Sequence, residues 1–199
     1  MKTRTLVLGL GNTLLGDEGA GVYAVRALQE KHANLTHVEF LDGGTLSFTL
    51  AGSIEDAENL IVIDAAQLKD KPGTVRVFEG EDMDRFLGSN RKSSVHEVSL
   101  MDLMAIAILA ESLPARRALI GIQPEYLDWS DAPTDAVARA IPLVCDMAMD
   151  LVNRWQREGR SEQGAGTPRS GDATGREWPP AVDSGIFQTA GRHGGGERA

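Results

Sequence analysis

The sequence holds a single cysteine, Cys145. An internal disulfide is therefore excluded, and so is a zinc centre built from several thiolates. No apolar run approaches the roughly 20 residues of a membrane-spanning helix. Basic residues are the minority, 20 against 29 acidic ones, for a formal net charge of -9 at pH 7. Nucleic acid and anionic membrane surfaces are accordingly not expected as partners. Familiar cofactor and nucleophile loops are missing too. Gly9-Leu10-Gly11 follows an apolar run, but Leu14 stands where a dinucleotide fingerprint needs its third glycine. There is no phosphate loop ending in lysine, no Gly-x-Ser-x-Gly elbow and no His-Glu-x-x-His helix. The opening Met1-Lys2-Thr3-Arg4 and Leu6-Val7-Leu8 are too short for a signal-peptide core. With the lone cysteine, this makes a cytoplasmic location the expectation.

What remains is an ordinary globular composition, 42% hydrophobic and 25% charged over 199 residues, enough for one domain with a sizeable core. The character changes near Gln156. From 156 to 199, Gly, Ser, Arg, Pro and Glu dominate, and six basic residues balance six acidic ones, so residues 1–155 carry the whole net charge. A stretch so poor in apolar residues does not offset its ordering entropy by burial. The expected organisation is a domain over 1–155 and a disordered tail over 156–199, in which Trp178, Ile186 and Phe187 are the apolar exceptions.

The domain alternates strand and helix signals. Thr5 to Leu10 is a continuous apolar run closed by Gly11-Asn12, as in a buried parallel strand. A helix with Val22, Val25 and Leu28 on one side follows, then a strand over Val38 to Leu41 that ends at Asp42-Gly43-Gly44. A helical or irregular segment leads to the apolar strand Leu60-Ile61-Val62-Ile63. Pro72-Gly73 marks a turn, and Thr74 to Phe78 reads as an antiparallel edge strand, its connection being too short for a crossover helix. Ser94-Val95-His96-Glu97 has the form of a capping box before a helix with Leu100, Leu103, Met104, Ala107 and Ile108 at helical spacing. Ala118 to Ile122 is a last strand. A final helix carries Val137, Ile141, Val144, Ala148, Leu151 and Trp155, with Pro142 either kinking it or marking its start. The predicted fold is an α/β three-layer sandwich: a mostly parallel twisted sheet of about five strands with helices on both faces.

Open α/β sheets bind ligands beyond the C-terminal ends of their strands. Three polar groups end the apolar runs there: Asn12 to Gly21, Asp42-Gly43-Gly44, and Asp64. Asp64 on its own is most simply a turn or capping aspartate; aimed into the crevice it is a ligand or base. Asp17 suits the role of N-cap to the first helix, which leaves the adjacent Glu18 as a candidate ligand rather than a second dipole-stabilising acid. His96 falls in the first turn of a helix, where the neutral imidazole that binds metal is favoured, although a lone histidine is more often a surface residue. His32 and His37 read as surface residues. Gly19 and Gly21 suit close backbone approach. Cys145 borders an apolar stripe and reads as core. Two carboxylates and an imidazole suit nickel or zinc.

Taken together, these blocks resemble the hydrogenase maturation endopeptidases. Leu8-Gly9-Leu10-Gly11-Asn12-Thr13-Leu14-Leu15-Gly16-Asp17-Glu18-Gly19-Ala20-Gly21 is similar to the family's opening motif. Leu41 to Thr45, Ile63-Asp64-Ala65, Ser94 to Glu97 with Leu100, and Gly121 to Glu125 are similar to its later blocks, in order over about residues 4–155. Gln123 to Trp129 looks most like the uptake-hydrogenase branch. The tail has no counterpart in that pattern. The resemblance implies metal contacts at Glu18, Asp64 and His96 and the family's Asp-Gly-Gly loop at Asp42-Gly43-Gly44. The candidates for a catalytic base are Glu18, Asp64 and Asp42, and the sequence does not choose among them. The implied substrate is a nickel-iron hydrogenase large-subunit precursor already loaded with nickel, whose C-terminal extension is removed. The nickel comes with the substrate, and zinc or cadmium would suit the same ligands. The rival expectations are a self-sufficient zinc peptidase or amidase on these ligands, a nucleotide-binding or chaperone module using the Gly-rich loop, and a non-catalytic hydrogenase-assembly scaffold bound through the tail.

Overall fold

The computed structural model describes residues 4–45, 48–89 and 100–164. A five-stranded sheet, ordered β2-β1-β3-β5-β4, runs through its middle. Strands β1 (Thr5–Leu10), β2 (Val38–Gly44), β3 (Asn59–Ala65) and β5 (Arg116–Ile122) are parallel. Strand β4 (Val75–Glu79) pairs antiparallel to β5 at one edge, as its short connection predicts. The three central strands are long apolar runs because both of their faces are covered. All six residues of β1 are buried, and Leu60, Ile61, Val62 and Ile63 of β3 are fully enclosed. Each such side chain contributes about 1.5–3 kcal/mol relative to leaving it in water.

Alternate residues feed two cores. Val7, Ile61, Ile63, Ala118, Ile120 and Ile122 pack beneath α1 (Ala20–Lys31) and α5 (Asp135–Gly164). Leu6, Leu8, Leu10, Leu60, Val62 and Leu119 pack on the other side with Ile54 of α2 (Ala51–Glu55), Met83 of α3 (Glu81–Ser89) and Leu103 of α4 (Leu100–Leu109). These are the three layers that the alternating strand and helix signals predict.

The structure corrects several details. Strand β2 extends through Asp42 to Gly44 rather than stopping at Leu41. Helix α3 was not expected. Ile108 of α4 is exposed, whereas Leu100, Leu103, Met104 and Ala107 are buried as predicted. Helix α5 starts at Asp135, so Pro142 lies inside it, on its exposed side. The same helix continues to Gly164, past the compositional change at Gln156. The remainder of the predicted tail lies outside the described residues, and so does the Ser94–Glu97 block. His32 and His37 are half-buried rather than surface residues, His32 stacking on Phe40 with ring centroids 6.3 Å apart.

Candidate active site

Strand order fixes where a site belongs. The chain passes from β1 to β2 on one side and then returns across β1 to β3 on the other. The crevice of such a sheet opens where that direction reverses, between the C-terminal ends of β1 and β3. The loop after β1 and the last residues of β3 flank that point.

The loop after β1 turns tightly. Asn12 accepts hydrogen bonds from Leu14 N through its side chain (3.0 Å) and from Leu15 N through its carbonyl (3.1 Å). A single 3-10 turn, Gly16–Gly19, then leads into α1. Two glycines let this turn lie against the strand ends. Gly11 has φ +127°, and a Cβ there would stand 1.7 Å from the carbonyl oxygen of Glu18. A Cβ on Gly21 would stand 2.0 Å from the carbonyl oxygen of Ile63, the residue before Asp64. Helix α1 therefore starts directly over β1 and β3, and the turn carrying Glu18 packs against β3. Glu18 is half-buried, as is Asp64. Asp64 pairs in register with Gly121 of β5 and alternates with Leu60 and Val62, so it belongs to the α4 face of the sheet.

Asp42 stands elsewhere. It pairs with Gly9 at the edge of the sheet and shares its face with Val38 and Phe40, beneath α1. Its Oδ2 accepts from Arg26 Nε (3.0 Å) and Nη2 (2.8 Å), and its Oδ1 accepts from Gly44 N (3.0 Å). Gly44 in turn accepts from Gly11 N through its carbonyl (2.9 Å). Asp42 thus braces the loop after β1 through Gly44. Asp64 and Asp42 both lie near the ends of their strands at the C-terminal rim of the sheet but on opposite faces, and the turn carrying Glu18 packs against β3 at that rim; His96 lies outside the described residues. Among the described residues no three His, Cys, Asp or Glu side chains gather as a metal set. Glu18 and Asp64 supply oxygen donors, and the imidazole named with them in the sequence would make a borderline set suited to nickel or zinc.

Asp17 differs from its expected role. The N-cap of α1 is Gly19, with no side-chain cap. Asp17 is instead fully enclosed and accepts four hydrogen bonds from the segment after β5: from Glu125 N (2.8 Å), Tyr126 N (3.0 Å), Thr134 N (2.6 Å) and Thr134 Oγ1 (3.0 Å). Gln123 is a second buried fastening. Its Oε1 accepts from Leu68 N (2.8 Å), and its Nε2 donates to the Pro124 carbonyl (3.1 Å), pinning the loop after β3 to the end of β5. Neither role is readable from local sequence, because the partners lie 117 and 55 residues away.

The fold and rim define an α/β protein with two carboxylates at a doubly wound switch point. The hydrogenase maturation protease model matches residues 22–151. The HupD hydrogenase expression/formation protein of Rhodobacter capsulatus is 39% identical over 153 residues, covering 76% of this chain and 72% of its own. The hydrogenase 2 maturation protease of Escherichia coli is 36% identical over 160 residues, covering 80% of this chain and 94% of its own. Among solved structures, the hydrogenase maturating endopeptidase HybD from E. coli superposes with a TM-score of 0.71 at 31% identity, over 76% of this chain and 93% of that one. The chain belongs to the hydrogenase maturation protease family, and as such is a peptidase. The HupD relatives bear out the expected uptake-hydrogenase branch.

Proposed function

We propose that this protein is the endopeptidase that removes the C-terminal extension of a nickel-iron hydrogenase large-subunit precursor, and that it recognises the nickel the precursor already carries. The observation that carries this reading is the placement of Glu18 and Asp64 at the β1/β3 switch point of a hydrogenase maturation protease. Glu18 and Asp64, with His96, take up open positions on the substrate's nickel and so hold the scissile peptide beside it. Nickel held there would polarise the scissile carbonyl, and the carboxylate oxygen of Glu18 or Asp64 left off the metal would take a proton from the attacking water. Asp42 is the least suited of the three to that task, because Arg26 holds its carboxylate on the other face. Its part is to fix the Gly43-Gly44 bend that steadies the loop after β1. A protease that borrows its metal ignores unloaded precursor, which makes cleavage a checkpoint on nickel insertion. Zinc or cadmium would occupy the same ligands in vitro. A cytoplasmic location fits the reading; among the described residues no helix is long and apolar enough to cross a membrane.

The test is mass spectrometry of the precursor's C-terminus after mixing with wild type, Glu18→Gln, Asp64→Asn or His96→Gln, with and without nickel. Loss of a ligand removes several kcal/mol of stabilisation, or about 100-fold or more in rate. Full processing by all three variants, or equal processing of nickel-free precursor, would remove the proposal.

A further inference from the structure

The segment between β5 and α5 is stitched to the turn that carries Glu18. Ser130 N donates to the Leu14 carbonyl (3.1 Å), Gly16 N to the Ser130 carbonyl (3.3 Å) and Asp17 N to the Tyr126 carbonyl (3.2 Å). Leu15 and Ser130 form an isolated parallel bridge. From below, the enclosed Asp17 carboxylate ties both ends of the segment, at Glu125-Tyr126 and at Thr134. A Cβ on Gly16 would lie 3.5 Å from the Tyr126 ring, so that ring lies against the turn. This segment is therefore a fixed wall beside Glu18.

Large hydrophobic side chains face water along this wall, interleaved with the exposed acids Glu125, Asp128 and Asp131. Leu14 is 56% exposed, Tyr126 48%, Leu127 45% and Trp129 74%. Of the large hydrophobic residues exposed among those described, these four lie on the two segments that those hydrogen bonds join, and Phe48, Ile108, Leu109 and Leu143 lie on other elements. A rigid aromatic and aliphatic cluster held open to solvent marks a binding surface, and Trp and Tyr are the residues that most often anchor one.

We propose that Leu14, Tyr126, Leu127 and Trp129 form the surface that reads the protein part of the substrate, by receiving apolar side chains of the precursor next to its scissile segment. This rests on the precursor reading above. The occupant follows from continuity: the backbone hydrogen bonds that hold these residues join the turn carrying Glu18, so a chain seated at Glu18 lies beside them. It follows too from what the carboxylates leave undone. Metal contacts report that nickel is present but do not distinguish one large subunit from another, whereas an apolar wall does. Tyr126, Leu127 and Trp129 thus act in binding rather than in the bond-breaking step.

The test is steady-state cleavage of nickel-loaded precursor by wild type, Trp129→Ala, Leu127→Ser and Leu14→Ser, with Leu143→Ser of α5 as a distant exposed control. The substituted side chains are open to solvent, so the melting temperatures should match that of wild type. The expected result is a KM raised about tenfold or more for Trp129→Ala, a smaller rise for the other two wall variants, kcat within twofold, and no change for Leu143→Ser. A wild-type KM in all three wall variants overturns the proposal. So does a shift from dimer to monomer in sedimentation with KM unchanged, which would make the cluster a contact between copies of the chain. Absence of cleavage by the wild type itself would instead strike the precursor reading, so the two failures are distinguishable.

Discussion

Cys145 sits on α5 against α1, its thiol donating to the Ala24 carbonyl at 3.6 Å. Burial pushes the thiol's pKa up, Asp146 adds to the effect, and Lys31 opposes it in part. A group whose folded pKa is raised contributes stability that is fully present below the unfolded pKa and is lost as pH rises through the folded one. The unfolded thiol titrates near about 8.5, so the loss begins there. Denaturant midpoints measured from pH 7 to pH 10.5 should fall more steeply for wild type than for Cys145→Ala, and native protein should resist thiol reagents until it unfolds. Parallel slopes would show that the thiol is solvated. The same scale explains what was legible among the acids. Asp64 and Asp42 both end apolar runs, and their nearness to the strand ends is plain in the sequence. Which face each takes is not. Both faces of a covered parallel strand are apolar, so alternation carries no label for one side or the other. Only the packing of Arg26 over Asp42, and of Leu60 and Val62 with α4, separates them.

Among elements, the junction of the Glu18 turn, the end of β5 and the start of α5 depends on Asp17. Asp17→Ala leaves the backbone N–H groups of Glu125, Tyr126 and Thr134 without their acceptor. Each unpaired buried donor costs about 1–3 kcal/mol, with partial relief as water enters. The expected net loss is about 2–4 kcal/mol, read as a drop of roughly 5–15 °C in melting temperature by calorimetry. Asp17→Asn keeps one acceptor oxygen and should lose less. Indifference to both substitutions would mean that the segment holds itself. In sequence Asp17 looks like a cap because it precedes a helix, yet its partners follow β5. The central strands were legible for the opposite reason: Thr5–Leu10 and Leu60–Ile63 are unbroken apolar runs, a local signal. Helix α3 was not legible, because Met83, Phe86 and Leu87 form a narrow stripe within a charged segment too short to show several turns of periodicity. It is fastened by Met83 in the core, by Phe86 stacked on Phe78 of β4 and by the ion pair of Asp84 with Arg117 of β5, whose guanidinium pKa is raised chiefly by that hydrogen bond. The partners lie 33 residues apart, and no local pattern announces the pair.

For the whole molecule, the question is where the folded unit stops. Composition places the boundary at Gln156, where apolar residues thin out. The helix does not follow composition. Trp155 of α5 is enclosed in the core, Arg116 donates to its carbonyl at 3.4 Å, and Glu158 pairs with Arg116 at 3.6 Å. The helical backbone continues to Gly164 because propagation adds one hydrogen bond per residue once the helix is nucleated by its buried stripe. Truncation therefore separates two effects that a single cut at 156 would mix. Ending the chain after Trp155 frays the last anchored turns, and removes the pair between Arg116 and Glu158 and the buried Gly159. Ending it after Gly164 keeps all of these, together with the whole stretch that matches the maturation protease model. The longer truncation should melt within about 2 °C of wild type and process nickel-loaded precursor at an unchanged rate. The shorter one should melt several degrees lower, each 1 kcal/mol lost being worth roughly 2–4 °C in a domain of this size. Loss of processing with stability retained in the longer truncation would assign precursor recognition to residues 165–199, and the wall beside Glu18 would then not be the main reader of the substrate.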